Sequence, residues 1–330
     1  MKRNLTFLIV LLAIGLFIFL GIALGRYSSR MMAAQIPEAA CTLTMADIIQ
    51  SAKGNVYEVD DPNYIEPASY NLVTYSVSED EIINPVFDSI PSDLKDEQQD
   101  TALQKEAWQI FTTLIPSDDR QMVTQYMIFT DGSESTLAAV EQTEDDLTNW
   151  IVEVDLADLD NKDALFFTLI HEYAHLLTLN ESQVSVDEEV FNDPYNIALL
   201  ESKAAACPNY FDGSGCSLPN SYINTFHQRF WVDINDEWEK IDSLQYADDL
   251  SPYYDGLYNF YLNHQDQFVD DYSTTHPAED IAESFAYFVF SPKPEENLIK
   301  DQKILFFYEY PELIELREQI LNNICTSFPE

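Results

Sequence analysis

Positive charge is what this chain of 330 residues has least of. Sixteen lysines and arginines stand against 58 aspartates and glutamates, a formal net charge of −42. Four of those basic residues (Lys2, Arg3, Arg26 and Arg30) lie in the first thirty positions, where there is no acid, so the remainder is still more one-sided. A surface of that sign repels nucleic acid and anionic lipid headgroups, which excludes nucleic acid as a partner and leaves solubility or cationic partners as its use. Cysteine is equally scarce. Four are present, at 41, 207, 216 and 325, with no Cys-x-x-Cys among them, which argues against a zinc–cysteine cluster. There is no internal repeat and no low-complexity segment.

What is present points to a folded, enzyme-sized body. Hydrophobic residues make up 46% of the chain and aromatics 13%, and the length suffices for one large domain or two smaller ones. Residues Leu5 to Leu24 are apolar apart from Thr6 and two glycines, with Lys2 and Arg3 before them and Arg26 and Arg30 after. A cleavable signal has a shorter apolar region, whereas about 20 residues span a bilayer. The expectation is a signal-anchor over 1–30 that crosses the membrane through 5–24, with the acidic body outside the cytoplasm. Processing at Met32-Ala33-Ala34-Gln35 is the alternative and would leave a secreted protein. Export makes disulfides the natural use of the cysteines. Cys207 and Cys216 flank a turn-rich loop that brings them together, which leaves Cys41 to pair with Cys325.

The chemistry concentrates in one segment, Phe166 to Asn180, which contains His171-Glu172-Tyr173-Ala174-His175 and has no internal glycine or proline. On a helix, residues i and i+4 share a face, so His171 and His175 direct two imidazoles at one point, as a tetrahedral zinc ion requires. Glu172 flanks the same point and can take a proton from the attacking water. Leu169, Ile170, Leu176 and Leu177 would seat this helix in the core.

The surrounding order is α+β. Residues 31–96 are acidic and dotted with proline, with Tyr70 to Val77 alternating enough for short strands or extended wrapping, and read as an arm packed on the body, which occupies 97–330. Leu103, Ala107, Ile110, Phe111 and Leu114 follow helical spacing up to Pro116. Gln121 to Thr130 and Thr136 to Val140 read as a β-hairpin about Asp131-Gly132-Ser133, and Trp150 to Leu156 as an edge strand beside the cleft. Such a strand would let a peptide bind in extended form. Asp158, Asp160, Asn161 and Asp163 read as a solvated turn that caps the next helix. Helices are expected at Ser221 to Trp231, Gly256 to Tyr272, Ala278 to Phe290 and, broken by Pro311, Ile304 to Ile324.

A catalytic zinc site needs a third protein ligand. Glu181 and Thr178 stand where a third histidine and its glycine would mark a metzincin, so a glutamate on a second helix remains. Glu189 precedes Pro194 in a poorly helical stretch, and Glu201 has no carboxylate four residues on. Glu279 has Pro277 at the first turn and Glu283 at i+4, which places Glu283 to orient a ligating histidine. His276 reads as a helix N-cap.

These residues carry a resemblance. Leu169-Ile170-His171-Glu172-Tyr173-Ala174-His175-Leu176, taken with Tyr272 and the Glu279-Asp280-Ile281-Ala282-Glu283 that follows His276-Pro277-Ala278, resembles the gluzincin metallopeptidases. The likeness is nearest to the catalytic domain of the anthrax lethal factor type and related bacterial zinc-peptidase-like proteins, and extends over about 97–325. It implies a zincin-like fold with a small N-terminal sheet, an active-site helix and a mainly helical C-terminal part. It further implies that His171, His175 and Glu279 bind zinc, that Glu172 is the general base, and that the Tyr272 hydroxyl stabilises the oxyanion of a cleaved peptide bond. The stretch between His175 and Glu279 is longer than in the lethal factor, so substrate preference does not carry over. The competing class is a non-catalytic zincin or an acidic envelope-binding protein; metal content and peptide turnover separate the three.

Overall fold

The computed structural model describes residues 45–52, 68–132, 136–247 and 249–328. The segments expected as membrane anchor (5–24) and processing site (32–35) lie outside them, as does Cys41 of the Cys41–Cys325 pair. Among the described residues no helix is long and apolar enough to cross a membrane.

Chain order runs α1 (Met45–Ala52), β1 (Tyr70–Ser78), β2 (Glu81–Phe87), α2 (Lys95–Gln99), α3 (Thr101–Leu114), β3 (Val123–Thr130), β4 (Ala138–Gln142), β5 (Trp150–Asp155) and α4 (Lys162–Leu179). There follow β6 (Val184–Val186), α5 (Glu188–Asn192), α6 (Ile197–Ala206), β7 (Gly215–Ser217), α7 (Tyr222–Phe230), α8 (Asn235–Asp242), α9 (Ser251–Asn263), α10 (Pro277–Phe290), α11 (Ile299–Phe307) and α12 (Pro311–Ser327). The class is α+β, as expected. The strands come first and the sequence after α4 is mainly helical.

Five strands form one mixed sheet in the order β2-β1-β3-β5-β4, antiparallel throughout except for the parallel pair β3–β5. Two expectations are corrected here. The hairpin joins β4 to β5 rather than β3 to β4, with Ala138 opposite Val154 and Gln142 opposite Trp150. The edge strand is therefore β4, and β5 is interior. The reason is burial: β3 and β5 are almost continuously buried, which suits strands flanked on both sides, whereas β4 is mostly half-exposed or exposed. Over 70–87 the arm supplies β1 and β2, so the strand reading of Tyr70 to Val77 holds, and these strands pair into the main sheet. Their two-residue turn, Glu79-Asp80, has positive φ at both positions (50° and 68°), the backbone that matches the twist of a tight hairpin. The turn is pinned by Arg120, whose Nη1 lies 2.8 Å from Asp80 Oδ1, and by Trp108 Nε1, which donates to the Asp80 carbonyl at 2.7 Å.

Two helices occupy the centre. Along α4, Ala164, Leu165, Leu169, Ile170, Ala174 and Leu176 are wholly buried. Asn161 caps its start by accepting from Ala164 N, and Asn180 closes its end by donating to the Leu176 and Leu177 carbonyls. The helix α10 starts at His276, whose Nδ1 accepts from Ala278 N at 3.1 Å, followed by Pro277 at the first helical position. All its residues but Glu279 are buried. Its last carbonyls are held by Arg317 of α12, with Nε donating to Phe288 O at 2.6 Å and Nη2 to Ser291 O at 3.0 Å. The pairs of α4 with α10 and α1, and of α10 with α11, make the main helical contacts.

The small sheet β6–β7 lies beside the Cys207–Cys216 disulfide, formed as expected with Cα atoms 5.5 Å apart. Gly215 is required there, because a Cβ would stand 2.2 Å from the Ser185 carbonyl oxygen. Gly256 serves a second close approach: a Cβ would stand 2.7 Å from Cγ2 of Ile241, so α9 packs on α8 at the distance a bare Cα allows.

Candidate metal centre

The i, i+4 spacing on α4 brings His171 and His175 to one face, with their Nε2 atoms 3.2 Å apart. The first turn of α10 meets them there. Glu279 Oε2 lies 3.0 Å from His171 Nε2 and 3.3 Å from His175 Nε2. A tetrahedral ion with bonds of ~2.0–2.1 Å spaces its donors by about 3.3 Å, so the triangle has the size of one face of such a coordination shell. Two imidazole nitrogens and a carboxylate oxygen form a donor set that holds a divalent ion, and among the described residues these three are the group whose ligand atoms converge.

The electrostatics follow from that convergence. Burial opposes charge on His171, but the carboxylates of Glu279 and Glu283 outweigh it and hold the imidazole well above its ordinary range. Burial would raise Glu279, and the two histidines instead hold it well below the usual carboxylate range. Each partner thus stabilises the charge of the other, as a bound cation would stabilise the carboxylate.

Glu283, one turn after Glu279, stands behind the first histidine, with Oε1 2.8 Å from His171 Nδ1. It fixes which ring nitrogen faces the centre. Behind it stands Asp270, which the sequence reading missed. Burial and then the adjacent Glu283 carboxylate push Asp270 well above its ordinary range. Asp270 Oδ1 also accepts from Ser273 N and Oγ, at 3.0 and 2.7 Å. No spacing rule signals Asp270, since it reaches Glu283 from a loop rather than from the same helix.

Glu172 is half-buried and accepts from the backbone N–H of Val140 on β4, the edge strand. Burial raises its carboxyl above the ordinary value, against the pull of His171 and His175. Two more carboxylates missed in the sequence lie beside it. Glu153 of β5 is pushed up to about 8 by burial and then by Glu141 of β4, with Glu172 adding to the effect. Tyr272 sits in a short 3₁₀ turn before α10, its ring centroid 5.8 Å from that of His171.

The remaining candidates fall elsewhere. Glu189 pairs with Lys203 at 2.7 Å, and Glu201 lines the wall of a cavity without joining the ligand group. His276 caps α10, as its sequence setting suggested.

That cavity, about 1420 Å³, touches the centre at Glu279, and Tyr272 and His276 also form part of its lining. Comparison with protein-family models, curated proteins and solved structures finds no match.

Proposed function

We propose that the chain is a zinc-dependent peptidase of gluzincin type on a zincin-like fold, its body outside the cytoplasm. The observation that supports this most directly is the triangle of His171 Nε2, His175 Nε2 and Glu279 Oε2, at 3.0 to 3.3 Å, with Glu172 between the two histidines in sequence and half-buried beside them. His171, His175 and Glu279 would hold the ion, with Glu283 orienting His171 through Nδ1. Zinc bound by three such ligands supplies Lewis acidity and brings the pKa of a coordinated water toward neutrality.

The protein's own groups do the rest. Glu172, raised by burial, is suited to accept the proton of the attacking water and then to deliver it to the leaving amine. The Val140 N–H fixes that carboxylate against the edge strand. β4 has a partner on one side only, so a peptide can extend along its free side and present its carbonyl to the centre. The Tyr272 hydroxyl, whose ring lies 5.8 Å from that of His171, would donate to the oxygen that gains charge as the carbonyl is attacked. Tyr272 and Glu279 line the same cavity, consistent with a substrate that touches both.

The test is metal analysis of the full chain followed by a mixed-peptide cleavage screen with Glu172→Gln as control. One zinc per chain is expected in both proteins. Turnover in the variant should fall by ~10²–10⁴. Metal without turnover in the wild type would favour the non-catalytic binding protein, and the lack of metal would remove both readings.

A further inference from the structure

The cavity that touches the centre at Glu279 has a one-sided chemistry. Glu201, Glu239, Asp242, Asp255 and Asp271 line it in addition to Glu279, and among the described residues no lysine or arginine does. The same wall carries tyrosines, with Tyr246, Tyr253, Tyr254 and Tyr258 on α9 and the turn before it. Elsewhere some acids are met by cations: buried Asp280 by Lys303, half-exposed Asp187 by Lys203 and exposed Asp80 by Arg120. Glu239 and Asp242 have amide partners instead, accepting from Asn235 Nδ2 at 2.7 Å and from Gln245 Nε2 at 2.9 Å. Asp242 sits beside Glu239, with burial first and that neighbour second pushing its carboxyl up to about 6. Tyr253 is raised by burial and then by Asp242. On the other side of Glu172, Glu141 and Glu153 crowd together in the same manner.

Aromatic faces beside carboxylates bind a guanidinium or ammonium by combined ion pairing and cation–π contact. A neutral or acidic ligand would gain nothing from such a wall. The close packing of α9 on α8 through Gly256 and Ile241 also fixes the distance between Asp242 and the tyrosine row, so the pair is a formed feature rather than a loose charged face.

We propose that this cavity receives a lysine or arginine side chain of the peptide whose backbone is presented to the metal centre, with Glu239 and Asp242 as the ion-pair partners and Tyr246 and Tyr253 as the aromatic walls. The inference rests on the peptidase reading for its substrate backbone, and its test separates the two.

The test uses full-length Glu172→Gln protein loaded with zinc, so that binding is read without hydrolysis. Fluorescent peptides of one sequence carry lysine, arginine, norleucine, citrulline or glutamate at a single position, and affinities are measured at low and high salt. Lysine and arginine peptides should bind about tenfold or more tightly than their norleucine and citrulline counterparts. Glu239→Gln and Asp242→Asn, added singly, should each reduce that preference. Glu315→Gln with Glu318→Gln, on the exposed face of α12, should leave it unchanged. Equal binding of charged and neutral peptides, or an equal loss with the α12 variant, would overturn the proposal and show attraction by net charge alone. Should Asp242→Asn fold poorly, the exposed Glu239→Gln decides by itself. Cationic preference in binding without cleavage by the wild type would sink the peptidase and leave the ligand class standing; cleavage without cationic preference would do the reverse.

Discussion

Two buried polar clusters meet on the first turns of α10, and they begin at adjacent residues. Asp280 faces the helical interior, where its Oδ2 accepts from Lys303 Nζ at 2.6 Å and from Trp231 Nε1 at 2.7 Å. Asp280 and Lys303 are both wholly buried, and the ammonium lies 4.1 Å from the Phe268 ring centre. One cation meets one anion, although Asp280 Oδ1 has no partner among protein atoms. Glu279 joins His171 and His175 in a set of three whose ligand atoms lie close together. Lysine, built into the chain, completes the first cluster; the second has the composition of a site completed by an ion from outside. Two neighbouring acids on one helix thus serve opposite ends, and the difference lies in whether the sequence itself supplies the positive charge.

The sharpest way to break that comparison is to remove Lys303. Lys303→Met leaves Asp280 buried and unpaired, which should destabilise the fold by ~3–5 kcal/mol in denaturant titration, with metal affinity of the folded fraction unchanged. A double variant, Lys303→Met with Asp280→Leu, should recover much of the loss, since a matched apolar pair carries no desolvation penalty. If either single change instead removed the metal and left stability intact, the two clusters would be one.

The second cluster should respond in the other currency of measurement, catalysis. Tyr272→Phe removes one hydroxyl, so metal content and thermal stability should hold while turnover falls by ~10²–10³. Unchanged turnover would make Tyr272 a packing residue. Glu283→Gln lies behind the ligands and should weaken metal binding by about 10–100-fold, measured by chelator competition. A loss of stability of the metal-free protein in place of that affinity change would put Glu283 with the structural cluster.

The smallest effect concerns the cavity. The folded-state carboxyl of Asp242 is raised to about 6 from an ordinary 3.8, by burial and then by Glu239. The folded protein then holds a proton that the unfolded chain has released, so this group favours folding at low pH and the benefit is lost as pH rises through about 6. Asp242→Asn should therefore raise the melting temperature at pH 7 and flatten its decline between pH 4 and 6, measured by calorimetry. A stabilised protein that binds cationic peptides less well would mark Asp242 as kept for binding.

How much of this was legible beforehand depends on the range of the signal. His171, Glu172 and His175 fall within five consecutive positions of one helix, and Glu279 with Glu283 is one turn of another, so periodicity alone places each group on its helix. That the two helices meet is a tertiary fact, and the sequence reading reached it from the need for a third ligand and from the Glu279–Glu283 spacing, with the resemblance pointing the same way. Sheet order was misread because a turn signal at Asp131-Gly132 marks a reversal without saying which strand comes back beside which. The apolar content of Trp150-Ile151-Val152-Glu153-Val154 was the sequence clue that β5 is not an edge, and Val152 and Val154 are wholly buried. Asp270 and Lys303 were missed for a simpler reason. Each contacts its partner across a long stretch of chain, and nothing local distinguishes either from a surface charge.

Gly256 has a consequence of its own. Because a Cβ at 256 would stand 2.7 Å from Cγ2 of Ile241, the separation of α8 from α9 has a natural calibration point, one residue along the chain from the cavity-lining Asp255 and Asp242. Alanine or serine at 256 would act as a wedge of known thickness, prising apart the two helices that bear Asp242 and the tyrosine row. The aperture offered to a side chain can then be dialled in steps of one or two atoms without altering the chemistry of its lining.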